Sequence, residues 1–166
     1  MNDRSDFQKI VDRVIIKVKS IYTDLDIQYK DDSFCRFMVA GNELKVELIN
    51  DVPSHIGKLV DHPILGIIDS KENILANKLA AVVDRYEPKD VVDIYFLLKD
   101  GLNLKQALLD MDSKAAGITS LRIAQVLTEY DYCLLDKRID WVKPISSDEI
   151  KEYFKGVTLD ILYGRE

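Results

Sequence analysis

The apolar residues of this chain change period twice. Over residues 7–22 they recur at helical spacing, as Phe7, Ile10, Val11, Val14, Ile15, Val18, Ile21 and Tyr22. This places one apolar stripe along an amphipathic helix, with Ser5 and Gln8 as a capping box ahead of it. The period then drops to two. Residues 26–30, 34–39 and 44–49 look like strands. In the last of these Leu44, Val46 and Leu48 share one face, and Lys45, Glu47 and Ile49 share the other. The links Asp31-Asp32-Ser33 and Ala40-Gly41-Asn42 suit hairpin turns, so the three runs form an antiparallel meander. Residues 51–63, broken by Pro53, Gly57 and Pro63, form a loop, and 64–68 a short strand.

From Asp69 onward the period is helical again. Asp69 and Glu72 suit the start of a helix that runs to about Tyr86. Pro88 fits the first turn of the next, which ends near Asp100 before Gly101. Further helices are expected over 104–111, 120–130 and 147–162. The fold class is therefore α+β. A small, mainly antiparallel sheet with an N-terminal helix comes first, and a C-terminal helical bundle follows. The expected division is 1–69 and 70–166.

A length of 166 residues, 47% of them hydrophobic and 31% charged, is enough for a real core and argues against disorder. The net charge of -6 opposes a broad electrostatic grip on nucleic acid, although a local basic patch stays open. No apolar run reaches the roughly 18 residues of a membrane span, and the polar start carries no signal peptide. Cys35 and Cys133 lie far apart without a CxxC context. They fit unpaired thiols in a reducing cytoplasm, where the protein is expected to work. His55 and His62 have no zinc-ligand spacing.

Three places could carry chemistry. Glu47 sits on a strand among apolar residues, where a rigid carboxylate could serve a metal ion. The alternation alone puts it instead on a solvated face, cross-strand from a basic residue. Lys78 and Arg85 are seven apart on one helix face with Ala81 between them. They could hold a triphosphate, or Lys78 could simply snorkel beside the core. Asp90 and Asp93 share a face at i, i+3. Asp90 in a first turn complements the helix dipole. Asp93, further in among Val92, Ile94 and Tyr95, needs a partner, with Lys78 or Arg85 the obvious one. Asp24 and Asp26 make a D-x-D, which reads as a helix-to-strand turn.

The run Lys78-Leu79-Ala80-Ala81, then Arg85, then Lys89-Asp90-Val91-Val92-Asp93-Ile94-Tyr95 resembles the signature of the AbiEii/AbiGii nucleotidyltransferase toxin family. That family carries K-x-x-A, an arginine, and a basic residue followed by D-x-x-D. Residues 45–49 resemble the family strand bearing a third catalytic carboxylate, with Glu47 where Asp is commoner. The resemblance covers about residues 7–101. It implies that residues 1–69 are a partial nucleotidyltransferase core, with Glu47 as catalytic and metal residue. Lys78, Arg85, Asp90 and Asp93 would be the nucleotide-binding residues. It also implies Mg²⁺, a nucleoside triphosphate, an acceptor such as RNA, and an antitoxin partner.

The family's Gly-Gly-Thr-type turn and D-x-D strand would precede Phe7, where the chain has no room. The expectation is thus a truncated or degenerate member with weak or no transfer activity alone. The rivals are a non-catalytic nucleotide- or protein-binding module, and an enzyme using Asp24 and Asp26 with Glu47. An incomplete sheet would expose Phe34, Phe37, Met38 and Val39, and a homodimer through the strands between residues 26 and 49 is expected.

Overall fold

The computed structural model describes residues 4–50, 55–115 and 117–164, without the side chains of Arg4 and Ser5. It divides into two units, Met1–Pro53 and Ser54–Glu166. The capping side chain expected at Ser5, and residues 51–54 of the expected loop, lie outside the described residues.

In the first unit, α1 (Arg4–Lys19) lies over a three-stranded antiparallel sheet of order β1-β2-β3, formed by Asp26–Lys30, Phe34–Val39 and Leu44–Ile49. The stripe Phe7, Val11 and Ile15 is buried with Cys35, Phe37 and Val39, the inward-facing alternate residues of β2. Strand β2 pairs with β3 without a break, from Phe34↔Ile49 to Val39↔Leu44, whereas the β1–β2 register shifts between Ile27 and Tyr29. Ala40, Gly41 and Asn42 turn the β2–β3 hairpin with positive φ. Gln8 donates to the Asp31 carbonyl, and Lys30 pairs with Asp12 at 2.6 Å, tying α1 to the β1–β2 turn. The Asp31 carboxylate accepts from the N–H groups of Ser33 and Phe34 and from the Tyr29 hydroxyl. Chiefly through the Ser33 bond, its pKa drops to about 2.

One expectation is corrected here. Phe37 and Val39 are not exposed sheet surface: α1 covers them almost completely. The face away from α1 carries Arg36, Met38, Lys45 and Glu47, and of the four apolar candidates only Phe34 and Met38 keep partial exposure there.

In the second unit the expected strand at 64–68 is half of a hairpin, β4 (Val60–His62) and β5 (Gly66–Ile68). Pro63 and Gly66 bracket the turn. The His62 Nδ1 accepts from the N–H groups of Ile64 and Leu65, which stands in for a backbone turn bond. Helix α2 (Lys71–Arg85) begins at Ser70, whose hydroxyl oxygen accepts from the Asn73 N–H. Asp69, the expected cap, instead binds the Ser70 N–H, the Asn73 amide and the His55 Nε2. Ile56 is laced to the same helix start through Asn73 and Ser70, so residues 55–69 cluster with the helices.

Pro88 opens α3 (Pro88–Lys99) at its first position. Helices α4 (Leu104–Asp112), α5 (Ser120–Glu129), α6 (Cys133–Arg138) and α7 (Ser147–Tyr163) complete the unit, of which only the short α6 was not expected. Leu75, Leu79, Ile94, Tyr95, Met111, Ile123, Leu127, Leu135, Ile150 and Phe154 form its core. No helix among the described residues is long and apolar enough to cross a membrane.

Candidate functional site

Helices α2 and α3 are joined by two residues, Tyr86 and Glu87, which bring the end of one helix onto the start of the other. Tyr86 adopts the left-handed conformation at φ 55° and closes α2; Glu87 is extended and leads into Pro88. The turn places Asp90, in the first turn of α3, opposite the polar face of α2.

Four charged side chains meet there. The Lys78 Nζ lies 2.9 Å from Asp90 and 2.5 Å from Asp93. Arg85 grips Asp90 with two parallel bonds, Nε at 2.7 Å and Nη2 at 2.8 Å. Asp90 is fully buried, whereas the Asp93 side chain is 45% exposed. Burial pushes the Asp90 pKa up, but Arg85 and Lys78 outweigh it, so the carboxyl titrates below its usual range. Burial likewise opposes the Lys78 charge, and Asp93 and Asp90 outweigh that, so Lys78 titrates above its ordinary value. Both groups are therefore charged at neutral pH. Bidentate arginine and a second cation are what a buried carboxylate needs to stay ionised.

The structure thus joins Lys78, Arg85, Asp90 and Asp93. Asp93 has Lys78 as the partner expected for it, but Asp90, read as a complement to the helix dipole, is the more deeply buried of the two.

Glu47 belongs to the first unit. It faces the side of the sheet away from α1, directly cross-strand from Arg36. The Arg36 guanidinium binds it at 2.6 Å and the Lys45 ammonium stands 3.4 Å away. The Arg36 bond is the main cause of its lowered pKa. Both contacts are to Oε1, so a metal ion held by Glu47 would meet two cations already beside the carboxylate. Among the described residues no group of three His, Cys, Asp or Glu side chains could hold a metal ion. Asp24 accepts the Gly41 N–H of the β2–β3 turn, the leading cause of its lowered pKa, and Asp26 opens β1 opposite Met38. Asp24 lies in the link between α1 and β1, as read, but its carboxylate holds the β2–β3 turn, and Asp26 is already part of β1.

Two groups had no signal in the sequence. One is the lattice of His55, Asp69 and Asn73 at the start of α2. The other is an aromatic cluster in which Tyr86 meets Tyr130 at a tilt, at 4.8 Å, and Tyr130 meets Tyr132 edge-on at 5.2 Å. Both join residues distant in sequence, and neither has a spacing that periodicity could reveal.

A family model described as nucleotidyl transferase AbiEii toxin, Type IV TA system, matches residues 22–156, which spans both units. No curated protein matches the chain, and no solved structure does.

Proposed function

Because the chain belongs to the AbiEii nucleotidyl transferase toxin family, we propose that its α2–α3 hairpin forms the phosphate-facing side of a nucleoside triphosphate site. The observation that carries this is the convergence of Lys78 and Arg85 on the buried Asp90. Asp90 fixes both cations in place, so little side-chain freedom is lost when a phosphate arrives. Lys78 contacts the phosphates through the side it shares with exposed Asp93, and Arg85, itself half exposed, flanks it.

In the family's chemistry an acceptor hydroxyl attacks the α-phosphorus. A new P–O bond forms as the α–β bridging P–O bond breaks, and pyrophosphate leaves; RNA is the acceptor class proposed here. Magnesium belongs to that chemistry, and Glu47 would hold it only by giving up its contacts with Arg36 and Lys45. With Asp24 and Glu47 engaged in local bonds, the chain binds nucleotide without transferring it by itself. Calorimetric titration of each ribonucleoside triphosphate, beside incubation with labelled triphosphates, Mn²⁺ or Mg²⁺ and total RNA, tests this. The expected result is binding that drops about tenfold or more in Lys78→Ala, and no label on RNA above a boiled control. Label incorporation sinks the claim of inactivity; binding indifferent to Lys78→Ala sinks the site.

A second reading, a protein-binding module, is favoured by the β4–β5 hairpin. Leu59, Val60, Ile64, Leu65 and Ile67 are all exposed on it, Ile64 at 86%. A two-stranded hairpin with an apolar surface is marginal in water without a covering element. The antitoxin is the partner proposed for it. Paired Ile64→Lys and Leu65→Lys substitutions then abolish copurification with the antitoxin and leave nucleotide affinity unchanged.

A further inference from the structure

Tyr86 occupies a position where a glycine would be the easy choice. It closes α2 in the left-handed region, at φ 55° and ψ 31°, a conformation that disfavours side chains with a Cβ. Residues kept in such conformations gather at ligand sites. Its ring is 38% exposed. Its ring lies tilted against buried Tyr130, with centroids 4.8 Å apart, and Tyr130 meets Tyr132 edge-on at 5.2 Å. The Tyr132 hydroxyl donates to the Leu127 carbonyl at 2.8 Å, which pins the cluster to α5. The Tyr130 hydroxyl is buried with no hydrogen-bond partner among the described residues. Tyr86 is therefore an aromatic surface held stiffly from behind and open in front.

Its place along α2 matters as much. Arg85 is its immediate neighbour, and Lys78 lies eight residues back, about 12 Å along a helix axis. That is the reach of an extended nucleoside triphosphate from base to terminal phosphates. Burial, and after it the Glu129 and Asp131 carboxylates, push the Tyr86 phenol up, which puts acceptors for base N–H groups near its ring. The cations that would meet phosphate run from Arg85, beside the tyrosine, back along α2 to Lys78. We propose that Tyr86 is the stacking surface for the base of the nucleotide, oriented with its phosphates toward Lys78. This rests on the reading of Lys78, Arg85 and Asp90 as a phosphate site.

The test compares ligands with and without a base. The full chain is titrated with each ribonucleoside triphosphate and with ribose 5-triphosphate, as wild type, Tyr86→Phe, Tyr86→Leu and Lys78→Ala. The preferred nucleotide is expected to bind wild type roughly tenfold tighter than ribose 5-triphosphate, the scale of one base–aromatic stack. Tyr86→Phe keeps that ratio. Tyr86→Leu brings it to about one without changing the affinity for ribose 5-triphosphate. Equal binding of both ligands by wild type overturns the proposal with no variant needed, as does a preference that survives in Tyr86→Leu. In either case a loss of both ligands in Lys78→Ala leaves the phosphate site standing. Failure of wild type to bind any of these ligands overturns the phosphate site and the tyrosine's role together.

Discussion

Asp90 shows how far one buried carboxylate can organise a site. It has no exposure to water and accepts from two cations, so removing its charge strands both Lys78 and Arg85. Asp90→Asn is expected to cost about 3–5 kcal/mol in chemical denaturation, the range for breaking one partner out of a buried pair. Asp93→Ala leaves Lys78 its bond to Asp90, and with Asp93 half exposed it costs only about 1 kcal/mol. The pH dependence follows from the directions of the shifts. Asp90 titrates below its ordinary value in the folded chain. Its contribution is therefore complete above the unfolded value of about 3.9 and is lost as pH falls through the lower folded one. Lys78 titrates above its ordinary value. Its contribution is complete below about 10.4 and is lost as pH rises through the folded value. Acid unfolding should be shallower in Asp90→Asn than in wild type, and alkaline unfolding shallower in Lys78→Met, as followed by circular dichroism against pH. Identical slopes would show that the cluster is not ionised as described.

At the scale of elements, the start of α2 depends on a loop outside it. The Ser70 hydroxyl caps the helix through the Asn73 N–H and also donates to the Ile56 carbonyl. Ser70→Ala removes both bonds and is expected to cost about 1–2 kcal/mol. Gly57 packs against the same serine at φ 72°, and a Cβ there would come within 2.8 Å of the Ser70 oxygen. Gly57→Ala therefore combines backbone strain with a clash, and its melting temperature should fall further than that of Ser70→Ala. Reversal of that order would mean the loop yields freely. In the first unit, Phe37 is the side chain that locks β2 to α1, so Phe37→Lys unfolds that unit rather than altering a surface. The loss should appear as reduced strand and helix signal at room temperature.

For the molecule as a whole, the two units have separate cores, one around Phe37 and one around Phe154. Strand β1 is exposed along its whole length, and among the described residues both β1 and β3 are outer strands of their sheet, bonded on one side only. Unpaired strand edges invite pairing with another chain. Sedimentation at micromolar concentration is expected to show a two-fold dimer that Ile49→Lys shifts toward monomer. A wild-type monomer at every concentration would mean these edges are protected in solution.

The order and type of the main elements can be read from the amino acids alone. Period and punctuation are local properties, and Pro88, Gly101 and the alternation in β3 act through their own backbone positions. The signature from Lys78 to Asp93 was legible for the same reason, since two consecutive helices with a short link must bring their facing charges together. How deeply each charge lies depends on packing. Asp90 is buried because α2 folds back over the two-residue link, and nothing in the i, i+3 spacing says which aspartate ends beneath that helix. Packing also sets that Phe37 and Val39 face α1 and that Tyr86 meets Tyr130, whereas the alternation in β3 already put Glu47 cross-strand from a basic residue. Burial and long-range ring contacts depend on what packs across, and that is set by elements distant in the chain.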